Sequence, residues 1–170
     1  MAPPPLSVLF LCTGNSARSL LAEALLNHMG QGRFRAFSAG SHPKGQAHAL
    51  TGGTLAAAGI AASGLRSKSW DEFARPDAPR IDLVITVCDG AAGEVCPLWP
   101  GRPVTAHWGL PDPAAPEIPE RDQPDAFRAA YRALEERIRD LTALPAEGVS
   151  AAEWKRRLAA VHRRDALPGS

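Results

Sequence analysis

The stretch Leu9–Leu26, LFLCTGNSARSLLAEALL, changes its periodicity midway, and that change constrains the fold more than any other feature of the chain. Leu6–Leu11 is a short apolar run without alternation, which predicts a strand covered on both faces. From Ser19 to His28 the residues Leu20, Leu21, Ala24, Leu25 and His28 recur at helical spacing, and Gly30 stops the pattern. A buried strand joined to an amphipathic helix by a short polar loop is the first half of a parallel crossover unit. The alternation continues along the chain. Phe34–Ser38 predicts a second strand, AHALTGGTLAAAGI a helix despite its glycine pair, and SWDEF a short helix capped by serine with acids in its first turn. Asp82–Val87, DLVITV, is the clearest strand, being β-branched, apolar and short; Pro103–His107 is a fourth candidate. Gln123–Leu141 is a long amphipathic helix whose apolar stripe is Phe127, Ala130, Tyr131, Leu134, Ile138 and Leu141. The expected fold class is α/β: a single doubly wound domain with a four-stranded parallel sheet flanked by helices.

Composition agrees with one such domain. The chain has 170 residues, 45% hydrophobic and 22% charged, with a net charge of +1. Nothing in that balance points to a nucleic-acid or membrane surface, and no apolar run approaches the roughly 20 residues of a membrane span. The N-terminal MAPPPLS lacks the basic and apolar regions of a secretory signal, so a cytoplasmic location is expected. Three cysteines is an odd count in a chain too long for a disulfide scaffold, and in a reducing compartment a cysteine is more often chemical than structural. We divide the chain into a domain over 1–145 and a C-terminal helical extension over 146–170. The extension opens on a capping box, Ser150 with Glu153, and turns Trp154, Leu158 and Val161 inward with its basic residues in solvent.

Parallel sheets bind ligands outside the carboxyl ends of their strands. Cys12 falls at one such end and Cys88, after DLVITV, at another. In the loop after Cys12, backbone amides can converge on one space beside a helix N-terminus, a nest suited to a tetrahedral oxyanion. Thr13, Gly14, Asn15, Ser16, Ala17, Arg18 and Ser19 form this oxyanion-binding segment. Arg18 adds a planar two-pronged donor whose charge does not titrate away. The same field favours a thiolate, which makes Cys12 a nucleophile. Gly14 permits an unusual backbone angle, Asn15 tolerates a left-handed one, and the Ser19 hydroxyl can donate to the sulfur. A bare Cys-x5-Arg would read as a small buried cysteine on an ordinary turn; the flanking strand, the helix and the serine after the arginine favour a site. A zinc centre from Cys88, Cys96 and His107 is disfavoured, since Cys-x7-Cys exceeds the common spacing and no fourth ligand is evident. His42, His48 and His162 read as surface or capping residues, and no metal is assigned.

VLFLCTGNSARS resembles the phosphate-binding loop of low-molecular-weight protein tyrosine phosphatases and of the arsenate reductases built on that fold. FSAGSHPKGQAHALTGGTLAAAGI, RSKSWDEF, DLVITVCDGAAGEVCPLWPG and TAHWGLPDPA are similar to the arsenate-reductase branch, so the resemblance runs from Leu6 to Leu144. It implies that Asp112, in GLPDPAAPEIP, is the general acid on a mobile loop stiffened by Pro111 and Pro113. It also implies that Cys88 and Cys96 supply the two electrons that convert arsenate to arsenite, through disulfides with and beyond Cys12. Seven residues separate those two cysteines, about one more than in familiar members, and Ala17 stands where several relatives carry a further cysteine. Arsenate is then the substrate, phosphate and sulfate compete with it, and thioredoxin or glutaredoxin is the thiol donor; no tightly bound cofactor is expected. A monovalent cation can sit behind the loop in this branch, near Asn15, Glu23 and Ser38, with Asp71 as a fourth position. The alternative is a phosphatase of the same fold hydrolysing phosphomonoesters. Such enzymes grip a phosphotyrosine ring with aromatics, whereas this chain has a single tyrosine, Tyr131, on the helix stripe. A non-enzymatic oxyanion sensor would not need Cys88, Cys96 and Asp112 together.

Overall fold

A computed structural model describes residues 4–62, 64–88, 99–145 and 148–166, with the backbone alone from residue 162. Four strands, β1 (Leu6–Cys12), β2 (Phe34–Gly40), β3 (Leu83–Thr86) and β4 (Val104–His107), form one all-parallel sheet in the order β2-β1-β3-β4. β1 pairs with β2 from Leu6 opposite Phe34 to Cys12 opposite Gly40, and with β3 from Val8 opposite Leu83 to Leu11 opposite Thr86. β1 and β3 are central, which is why both read as uninterrupted apolar runs: Val8–Cys12 and all of β3 are buried. β4, on the edge, is only partly covered. The strand expected at Asp82–Val87 spans Leu83–Thr86, and backbone bonds continue the ladder at both ends, Asp82 N–H donating to Ser7 O and Val87 N–H to Leu11 O; the Asp82 carboxylate also accepts from Ser7 N–H.

The helices are α1 (Arg18–Met29), α2 (Ala49–Ala57), α3 (Gln123–Thr142) and α4 (Ala151–Ala166). α1 packs on β1 and β2, α3 on α1, and α4 on both β4 and α3. The SWDEF segment is a single 3-10 turn, Trp70–Phe73, capped by Ser69 Oγ accepting from Asp71 N–H. Strand alternation puts Phe37 on the side of the sheet opposite Ala36 and Ser38, where its ring meets Phe73 at 5.5 Å. Both faces of the sheet are therefore covered, as a doubly wound α/β domain requires. No helix among the described residues is long and apolar enough to cross a membrane.

The C-terminal helix is seated in the same core. Trp154, Leu158 and Val161 are buried, Ser150 Oγ accepts from Glu153 N–H, and Glu153 turns outward to Arg156 and Arg157. Leu158 O accepts from the indole N–H of fully buried Trp108 at 2.9 Å, and the Trp108 ring lies 6.3 Å from Phe10 of β1. This contact fixes the residue at which the segment carrying Asp112 leaves the sheet.

Candidate active site

The chain leaves β1 toward β2 on one side and meets β3 on the other, so the crevice at the carboxyl ends of β1 and β3 is a topological switch point. Cys12 ends β1 and Cys88 lies just beyond β3. Both are buried free thiols, close enough that each sulfur bears on the other's proton. Cys88 Sγ also accepts from Thr13 N–H at 3.3 Å and lies 3.6 Å from Thr13 Oγ1.

The loop is shaped by what holds its carbonyls. Thr13 O accepts from His42 N–H, Gly14 O from Lys44 N–H and the Ser67 hydroxyl, and Ser16 O from His48 N–H and the Thr51 hydroxyl. A trans peptide sets each carbonyl opposite the next N–H. The amides of Gly14, Asn15 and Ala17 are thereby turned away from those anchors, and the Gly14 N–H bonds the Cys12 sulfur. Asn15 takes the left-handed conformation expected of it, with φ of 45°. Gly14 does not adopt a positive φ; what its missing side chain provides is room, since a Cβ there would lie 3.2 Å from Lys44 Cε. The Ser19 oxygen, read as a donor to the sulfur, accepts from Asn15 Nδ2 at 2.7 Å and so braces the loop from behind.

Arg18 opens α1 and reaches across the crevice. Its Nη1 donates to Leu110 O at 3.0 Å, its Nη2 lies 3.9 Å from Asp112 Oδ2, and its Nε is buried with no partner among the described residues. An unpaired guanidinium N–H beside inward amides is a donor set awaiting an anion. Asp112 is 40% exposed against 14% for Arg18, so the carboxyl stands at the mouth of the site. Its Oδ1 accepts from Ala114 N–H, which fixes the turn. Buried Arg137, which sequence reading passed over, supports this loop by donating from α3 to Trp108 O and Gly109 O.

The electrostatics oppose one another at Cys12. The hydrogen bond with Cys88 and then burial push its thiol up, while the Arg18 charge and the Gly14 N–H pull it down. The loop amides, the helix terminus, Arg18 and Ser19, as read from the sequence, all act in the direction of the thiolate. The structure adds a second sulfur, which favours the protonated thiol.

Gly40 is a further residue that local pattern did not single out. It ends β2 beneath the loop, and a Cβ there would lie 2.4 Å from Thr13 O and 2.9 Å from Cys12 O. Backbone atoms cannot yield as a side-chain tip can. Gly40→Ala is expected to weaken inorganic phosphate binding at least about tenfold and to cost about 1–3 kcal/mol of stability. Calorimetric titration with phosphate and urea unfolding check this; unchanged values in both would show that the loop does not need this close approach.

Of the cation positions implied by the resemblance, Asn15, Glu23 and Ser38 come together, and Asp71 does not: it is exposed on the 3-10 turn. Cys96, expected as the outer cysteine of the relay and weighed as a zinc ligand with Cys88 and His107, lies outside the described residues. His107 Nδ1 lies 2.7 Å from Thr86 Oγ1, and no group of three His, Cys, Asp or Glu side chains among the described residues could hold a metal. Tyr131 packs against the core and donates to Glu135 rather than lining the crevice.

A cysteine at a strand end, an amide-lined loop, an arginine at the helix start and an aspartate across the crevice define a thiol-based oxyanion site on a parallel α/β sheet. The profile of the low molecular weight phosphotyrosine protein phosphatase family matches residues 7–153, and the chain belongs to that family. An arsenate reductase of Bacillus licheniformis is 34% identical over 134 residues, 78% of this chain and 92% of that one. Among solved structures, an arsenate reductase in a phosphate-binding state superposes with a TM-score of 0.66 at 28% identity, covering 81% of this chain and 97% of the other. A thioredoxin-dependent arsenate reductase of Corynebacterium glutamicum superposes with a TM-score of 0.55 at 28% identity, covering 82% of this chain and 64% of the other.

Proposed function

We propose that this protein is an arsenate reductase working in the cytoplasm through a three-cysteine relay. The observation that carries the reading is the second thiol at the switch point, Cys88, whose sulfur accepts from Thr13 N–H at 3.3 Å, directly beside Cys12. Phosphoryl transfer on this scaffold needs one thiol, a cradle and an acid. Reduction of arsenate needs two electrons besides, and a second thiol against the nucleophile can deliver them. The relatives named arsenate reductase support the same choice.

The chemistry divides among the chain's own groups. The loop amides and Arg18 hold arsenate against Cys12, whose sulfur attacks arsenic while Asp112 protonates the departing oxygen, which leaves as water. Cys88 then attacks the Cys12 sulfur. The sulfur–arsenic bond breaks with its electron pair passing to arsenic, arsenite departs, and a Cys12–Cys88 disulfide remains. Buried in the crevice, that bond is poorly accessible to a protein reductant. Cys96 attacks Cys88, frees Cys12, and leaves a Cys88–Cys96 disulfide for an external dithiol to reduce. Thioredoxin fits this outward transfer, and the thioredoxin-dependent relative supports it; glutaredoxin with a small thiol is the other donor of the right chemistry. Phosphate and sulfate compete for the cradle.

The test is arsenate-dependent NADPH consumption with thioredoxin and thioredoxin reductase, run beside hydrolysis of p-nitrophenyl phosphate. Turnover of arsenate with negligible ester hydrolysis is expected. Brisk hydrolysis with no arsenate-dependent oxidation would make the protein a phosphatase.

A further inference from the structure

Behind the loop lies a buried polar chain that the proposed chemistry does not use. Asn15, fully buried, donates to Ser38 Oγ at 3.0 Å, and Ser38 donates to Glu23 Oε1 at 2.6 Å. Glu23 Oε1 in turn faces the Lys68 ammonium at 3.6 Å, and Lys68 Nζ also donates to Arg66 O at 2.9 Å. Lys68 is 8% exposed, a rare condition for a lysine unless it is paired. Its backbone joins the same structure, its N–H donating to Asn15 Oδ1 at 2.9 Å and its carbonyl accepting from Gly40 N–H at 2.9 Å. One residue thus grips the loop asparagine through the main chain and its counter-charge through the side chain.

A monovalent cation does not fit this arrangement. Asn15 Oδ1 is taken by an N–H, Ser38 Oγ receives Asn15 Nδ2, and Glu23 Oε1 already accepts a hydroxyl beside an ammonium. Each of these three oxygens already receives a hydrogen bond, and a second positive charge at Glu23 would sit against the Lys68 ammonium. Burial pulls the Lys68 pKa down, and the charge of Glu23 opposes that pull.

We propose that Lys68 is the built-in cation of the oxyanion loop, a positioning residue that neutralises Glu23 and holds Asn15 in its left-handed conformation, so that no potassium ion is needed there. This goes beyond the reductase reading, because it concerns the loop's shape and can be read from phosphate binding alone. Glu23 also lines a surface cleft with Asn27, His28 and Leu65, so a solute cation has a route to the carboxylate once the ammonium is gone.

The experiment is calorimetric titration of the full chain with inorganic phosphate in potassium chloride or tetramethylammonium chloride at equal ionic strength. The wild-type protein should bind equally in both. Lys68→Met, nearly the same shape without the charge, should lose about tenfold or more in tetramethylammonium and recover part of it in potassium. Should that variant not fold, Lys68→Met with Glu23→Gln removes both charges and should bind phosphate without any response to potassium. Wild-type affinity that rises several-fold with potassium would overturn the proposal. So would a Lys68→Met protein that binds like wild type in tetramethylammonium.

Discussion

Cys12→Ser is expected to form no arsenite while still binding phosphate. A serine hydroxyl at this position is a far weaker nucleophile and cannot pass electrons through a disulfide. The cradle itself rests on other atoms: outward-anchored carbonyls, the Arg18 guanidinium and the brace of Asn15 on Ser19. Loss should therefore be complete in catalysis and small in binding. Arsenite release measured chromatographically, beside calorimetric titration with phosphate, separates the two. Sustained arsenite formation by the variant would remove Cys12 from the nucleophilic role, and loss of phosphate binding would mean that the thiol shapes the loop.

Asp112→Asn should slow arsenite formation by about 10²–10⁴-fold, the usual contribution of a positioned general acid. The amide keeps an oxygen for the Ala114 N–H and so preserves the turn, but it carries no transferable proton. Arg18 loses a charge partner 3.9 Å away and keeps its bond to Leu110 O. Phosphate affinity should stay level or rise, because a carboxylate at the mouth repels an incoming anion. Pre-steady-state arsenite formation, beside calorimetric titration with phosphate, reads the two effects separately. Wild-type turnover in Asp112→Asn would place the acid elsewhere.

The parts of this account that the sequence carried are those encoded locally. Continuous apolar runs mark β1 and β3 because a central parallel strand is covered on both faces, and Cys12 and Cys88 fall at strand ends by position alone. Asn15 was legible because few residues accept a positive φ. What escaped is contact between distant segments. Nothing in RSKSWDEF singles out Lys68, and it is buried because residues 68 and 69 lie alongside the end of β2, with Ser69 bridged to Gly40. Asp71, three residues on in the same segment, had been the expected neighbour of Glu23; the chain turns at Ser69 and carries it to the surface instead. Gly40 and Arg137 act through close approach and through carbonyls of another element, neither of which leaves a periodic trace. The proton balance of Cys12 depends on Cys88, which strand pairing brings beside it from 76 residues away (88 − 12).

The central claim is that electrons leave the crevice by an ordered exchange among Cys12, Cys88 and Cys96. Cys96→Ser tests it most directly, since it spares every described residue of the site. Mixed with arsenate in a quenched-flow experiment, the reduced variant should release about one arsenite per chain and stop, trapped with Cys12 joined to Cys88 in the peptide map. Sustained thioredoxin-driven turnover by that variant would contradict the relay.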